Sequence, residues 1–128
     1  MTRAAIPPAV LQFIANRIDS VPELETLLIM SAEERRSWSA SEIAALTYVP
    51  EKSALAVLRS LARHRLVSSD EHGRLFRYDP SSEEERRVVI QTGIAYRDHL
   101  VSIATFIHQK AATPVQEFAR AFSLKKDD

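Results

Sequence analysis

Cysteine is missing from all 128 residues, which excludes disulfides, thiol nucleophiles and thiolate metal sites. Glycine is nearly missing too: Gly73 and Gly93 are the only two, so few turns can take positive φ freely. No apolar run approaches the ~20 residues that a membrane span needs. The opening stretch MTRAAIPPAV lacks the apolar centre of a secretory signal, because two prolines interrupt it. A cytoplasmic protein is the expectation from these absences. Net charge is also absent. Seventeen basic residues balance seventeen acidic ones, so no overall field draws the chain onto polyanions. Any nucleic-acid surface would have to be a local patch.

Catalytic motifs are equally scarce. There is no glycine-rich phosphate loop and no serine elbow. Of the four histidines, His64, His72, His99 and His108, the last two lie nine residues apart and project from opposite sides of one helix. Neither a cysteine nor a nearby His/Asp pair completes a tetrahedral set, so no metal site and no cofactor is expected. Asp98, next to His99, points elsewhere on the helix. Glu83, Glu84 and Glu85 open a helix, where they complement its dipole rather than act as an acid/base pair. The chain reads as a non-enzyme.

What is present is helix punctuation. An apolar fraction of 45% and a charged fraction of 27% fit one globular domain spanning 1–128. Its stretches are 1–37, 38–80 and 81–128. Capping boxes, in which a Ser or Thr satisfies a backbone N–H three residues on, recur at Ser20/Glu23, Ser39/Glu42, Ser82/Glu85 and Thr113/Gln116. Pro50 and Pro114 suit first helical positions. Apolar spacing predicts helices over 8–18, 21–34, 40–46, 50–64, 81–109 and 114–122, with 125–128 a polar tail. Short strands are predicted over 35–38, 66–69 and 75–78, the last two paired around Glu71-His72-Gly73. The fold class expected is mostly α with a small β-hairpin.

At about 100° per residue, Ala54, Val57, Leu58, Leu61 and Ala62 share one side of the 50–64 helix and must face the core. Lys52, Ala56, Arg59 and Arg63 line the opposite side. Three cations therefore point outward, where long side chains can reach phosphates and guanine edges. Arg63, His64 and Arg65 also suit a helix C-terminus, and a solvated basic face is common on any helix.

From Trp38 to Asp79 the order is a capped helix, a tight connection, a longer helix and a glycine-tipped hairpin. This segment, about a third of the chain, resembles the winged helix-turn-helix transcription regulators of the MarR, PadR and ArsR kind. WSASEIAAL looks like their positioning helix, LRSLARHRLV like the end of their recognition helix, and SSDEHGRLFRYD like their wing. The resemblance implies that Lys52, Ser53, Ala56 and Arg59 lie on the groove-facing side and that Arg74 and Arg77 lie near phosphates or the minor groove. With the basic stripe, Lys52, Ser53, Arg59 and Arg63 are expected to meet the major groove of duplex DNA. Two positions depart from the pattern. Leu55 and Ala56 stand where polar base-reading side chains are usual, and Arg65 where glycine is usual, implying a different helix ending. Asp70 and Glu71 at the hairpin tip would repel phosphate. Six basic residues against five acidic ones over 39–79 make the patch thin.

The predicted 81–109 helix carries two apolar stripes. Val89, Gly93, Tyr96, Leu100, Ile103 and Ile107 follow coiled-coil spacing, beside a second stripe of Ile90, Ile94, Val101 and Ala104. A helix apolar on two sides needs two partners. One partner is expected to be the chain's own first two helices, and the other, at the first stripe, the same helix of a second copy, giving a homodimer whose two recognition helices sit about one DNA turn apart. The alternative is a monomer in which helices at both ends of the chain cover both stripes. Gly93 would either permit close helix approach or mark a bend. Tyr96, His99 and Trp38 could line an effector pocket, which core packing explains equally well. A homodimeric DNA-binding regulator is the expected function. A winged-helix module that binds another protein, without DNA, is the alternative.

Overall fold

The computed structural model describes residues 5–111. Within that range the chain is mostly helical, with one small three-stranded antiparallel sheet. Helix α1 (Pro8–Arg17) opens with proline, which has no N–H to leave unsatisfied. Helix α2 (Val21–Ser31) is capped by Ser20, whose Oγ accepts the Glu23 N–H at 3.3 Å. Strand β1 (Ser37–Ser39) leads straight into α3 (Ala40–Thr47). There Ser39 and Glu42 form the full reciprocal box, at 3.1 and 2.9 Å. Helix α4 (Glu51–Arg63) is entered through Pro50 and closed by His64. Strands β2 (Val67–Ser69) and β3 (Leu75–Tyr78) make the hairpin. The sheet order is β1-β3-β2, so the first strand pairs with the last. Trp38 lies opposite Phe76, and Val67 opposite Tyr78.

The apolar residues converge on one core. Ile14 and Ile18 meet Leu24 and Leu27, Leu58 and Leu61, and Ile103 and Ile107, all fully buried. On β3 burial alternates, so Phe76 and Tyr78 point inward while Leu75 and Arg77 point out. Trp38, Phe76 and Tyr78 are thus packing residues of the sheet's inner face.

Two expectations are corrected at the C-terminal end. The predicted 81–109 helix is two helices: α5 (Glu83–Asp98) ends at His99, and α6 (Leu100–Ala111) begins there. His99 leaves helical geometry at φ −134°, ψ 45°. The cause is length: 29 residues at about 1.5 Å each would run ~43 Å, past the edge of a small domain. The break lets α5 and α6 both pack on α1 and α2. Gly93 is not the bend; a Cβ there would meet Leu28 Cδ2 at 3.3 Å, so glycine serves the close approach of α5 to α2.

The expected dimer seam is the second correction. Val89, Ile103 and Ile107 are fully buried within the single chain. Gly93 lies against Leu28, and Tyr96 donates its hydroxyl to Glu25 Oε2 at 3.1 Å. Of that stripe only Leu100 is substantially exposed. The chain's own α1 and α2 take the place that a second copy was expected to fill. The neighbouring stripe is the open one: Ile90, Ile94 and Val101 are exposed, Val101 at 74%. The capping pair Thr113/Gln116 and the 114–122 helix lie outside the described residues.

Candidate nucleic-acid interface

Helix α4 is amphipathic in the sense its spacing predicts. Ala54, Leu58 and Leu61 are buried, with Val57 and Ala62 packed against them. Lys52, Ser53, Ala56, Arg59 and Arg63 are all exposed. The helix is positioned from both ends. It packs against α3, joined to it through a connection whose residues include Tyr48 and Val49.

At its C-terminus, the Leu66 N–H bonds the Leu61 carbonyl and the Arg65 N–H bonds the Ala62 carbonyl, each at 3.0 Å. These two bonds are a Schellman ending, which demands a left-handed residue just past the cap. That residue is Arg65, at φ 61°. The expected departure in helix ending does not occur: arginine adopts the conformation that glycine would take more cheaply. Arg17 secures the same end from α1. Its guanidinium donates to the His64 carbonyl from Nε at 3.0 Å and from Nη2 at 2.6 Å, and pairs with Glu85 at 3.0 Å.

The charged residues divide into two populations. Among the described residues, the ion pairs of arginine and lysine use Arg17, Arg36, Arg86 and Lys110. None uses Lys52, Arg59, Arg63, Arg74 or Arg77. Arg35, Arg65, Arg87 and Arg97 are exposed and outside those pairs as well, so freedom alone does not define a site. Lys52, Arg59 and Arg63 differ from those in sharing one face of one helix.

The hairpin residues are less concentrated. Arg77 lies on the outer face of β3, flanked across the sheet by Ser37 and Ser68. Arg74 sits at the turn. The Asp70 carboxylate there accepts the N–H groups of Arg74 at 2.8 Å and Leu75 at 3.2 Å. Those backbone donors, Arg74's foremost, hold the Asp70 carboxyl below its ordinary range. The carboxylate thus closes the loop and stays ionised, so it and the exposed Glu71 keep the hairpin tip acidic. Leu55 is half-buried against the core and is not a groove-facing residue. Its apolar character is explained by packing.

One exposed residue was missed from sequence. Tyr48, just beyond α3, is 94% exposed and left-handed at φ 58°, ψ 41°. An aromatic side chain so placed is both strained and unburied. A lone tyrosine two residues before a proline carries no sequence signal for this. Leu46 and Leu75 are also exposed.

The suggested effector pocket is not assembled. Trp38 belongs to the sheet, Tyr96 bonds Glu25, and His99 borders a small cavity of about 140 Å³ with Ile94, Gln91 and Pro7. A larger open groove of about 490 Å³ runs between α1 and the start of α5, lined by Gln12, Asn16, Arg17, Glu84 and Arg87 among others. Compared with known families, with curated proteins and with solved structures, the chain matches none. No helix among the described residues is long and apolar enough to cross a membrane.

Proposed function

We propose that this chain is a winged-helix protein that binds duplex DNA as a homodimer and regulates transcription. Helix α4 is the recognition helix of this reading, and the β2–β3 hairpin is its wing. One observation carries it. α4 buries its leucines while turning Lys52, Arg59 and Arg63, free of ion pairs, to solvent on one face. Those cations and Ser53 meet the groove; Arg77 and Arg74 contact the flanking backbone, and the exposed Tyr48 is proposed to join the interface. With net charge near zero, one patch is weak, and a twofold pair doubles it. The dimer face is the open stripe of Ile90, Ile94, Leu100 and Val101 in place of the seam buried in the core.

The test is a titration of purified protein against random-sequence duplex and fragmented genomic DNA at low salt. Binding that falls steeply with added salt is expected, because phosphate contacts release counterions. Lys52→Ala combined with Arg59→Ala abolishes most of it. Undiminished affinity in that double variant would overturn the assignment. The exposed Leu46, Tyr48 and Leu75 favour the second reading, a module that docks another protein. Absence of any DNA binding at low salt, with a partner retained in pull-downs, decides for it.

A further inference from the structure

Three ligand-bearing side chains from distant parts of the chain meet at the C-terminal end of α4. His64 closes that helix, and its Nε2 stands 3.0 Å from Asp19 Oδ2, forty-five residues away. Asp19 belongs to the connection between α1 and α2, and Glu23 to the first turn of α2. One ligand atom from each of Asp19, Glu23 and His64 lies within 4.8 Å of the other two. Glu23 is only 5% exposed. Ser60 Oγ donates to its Oε1 at 3.0 Å, and Ser20 Oγ to its Oε2 at 3.3 Å. Asp19 is largely open to solvent and His64 partly so. The result is a buried carboxylate held in place by two hydroxyls, beneath an accessible imidazole and a second carboxylate.

We propose that Asp19, Glu23 and His64 form a binding site for a single divalent transition-metal ion, with Zn²⁺ the best fit. Bonds of about 2.0–2.2 Å from such an ion put neighbouring nitrogen and oxygen ligands ~3–3.5 Å apart. The His64–Asp19 contact already has that spacing, and a ligand atom of Glu23 lies within 4.8 Å of both. Imidazole with two carboxylates suits zinc and its neighbours, whereas calcium and magnesium take oxygen ligands. The hydroxyls on Glu23 play the part of outer partners that orient a ligand. Water completes the coordination on the side where Asp19 is open.

Lys110 is the internal competitor. Its Nζ donates to the Ile14 and Ala15 carbonyls at 2.9 and 2.8 Å and lies 3.7 Å from Asp19 Oδ1. It holds one oxygen of Asp19 while His64 faces the other, so the ion enters on the His64 side. The ammonium then repels it. This distinguishes a metal site from a purely structural cluster: removing Lys110 weakens the latter and improves the former.

The site does not depend on the DNA reading, and its test uses no DNA. The full chain is titrated with Zn²⁺ by calorimetry, and with Co²⁺ by its visible d–d absorption. One ion per chain is expected. Asp19→Asn and His64→Gln should each weaken binding about tenfold or more, His72→Ala should leave it unchanged, and Lys110→Met should tighten it. Asp19→Asn is near-isosteric at an open position, so it retains the fold even where Lys110→Met does not. No bound ion, or binding that Asp19→Asn and His64→Gln leave unchanged, overturns the proposal.

Discussion

Tyr48 offers a test in which stability and binding move in opposite directions. Its φ of 58° and ψ of 41° lie in the left-handed region, which costs a residue with a Cβ about 1–2 kcal/mol. Glycine removes that cost but returns about 0.5–1 kcal/mol through the greater freedom of the unfolded chain. The ring is 94% exposed, so its loss sacrifices almost no buried area. Tyr48→Gly is therefore expected to stabilise the fold by about 0.5–1 kcal/mol. By circular dichroism that raises Tm by about 2–6 °C. Tyr48→Ala keeps the backbone conformation and its strain, and should gain nothing. On DNA the two variants should behave alike. Each loses one ring and one hydroxyl at the interface, an interaction of about 1 kcal/mol, or about fivefold in affinity. Fluorescence anisotropy on a labelled random duplex at low salt reads that change. A Tyr48→Gly protein no more stable than the parent, or a Tyr48→Ala protein equally stabilised, refutes the backbone argument. Full affinity in both removes Tyr48 from the interface.

Other outcomes follow from the same structure. In the Lys52→Ala, Arg59→Ala double variant, the slope of log affinity against log salt should shrink by about 2 if both contact phosphate; an unchanged slope would assign the loss elsewhere. Ile103→Ala should cost about 2–5 kcal/mol in urea unfolding, because that side chain is fully buried in the single chain. Ile94→Glu should change stability by less than about 0.5 kcal/mol yet dissociate the dimer in sedimentation. A dimer that survives it would place the interface away from that stripe. Tyr78 and Tyr96 are both pushed up to about 12, chiefly by burial, with nearby Glu34 acting on Tyr78 and Glu25 on Tyr96. The folded chain thus keeps those protons when the unfolded chain, at about 10, has lost them. Stability should fall as pH rises from 10 toward 12, and ultraviolet titration should show two phenols ionising late. Ionisation of both near pH 10 in the folded protein would contradict their burial.

Local signals were legible where one short-range interaction decides the outcome. The Ser39/Glu42 box, the Ser20 and Ser82 caps and the proline at the start of α1 each act within one helical turn, and each lies where spacing put it. The inward face of α4 was readable because five apolar residues repeat at the helical period. The hairpin followed from alternation around Gly73. β1 was expected a residue or two early, since its boundaries depend on pairing with β3 rather than on its own residues. Periodicity identified two apolar stripes on the C-terminal helices but gave the first to a second copy, where the chain's own α1 and α2 cover most of it. A stripe records only that something apolar covers it.

Sequence alone therefore determined α1 to α4, the Ser20, Ser39 and Ser82 caps and which side of α4 hides its leucines, because those depend on neighbours three or four residues away. Tertiary structure alone decided the rest. It broke the long helix at His99, enclosed Val89, Ile103 and Ile107 within one chain, and set Arg65 and Tyr48 in left-handed conformations. It also brought His64 to Asp19 and Glu23. Each of these outcomes depends on contacts between segments distant in the chain, and no local pattern of residues encodes which segments will meet.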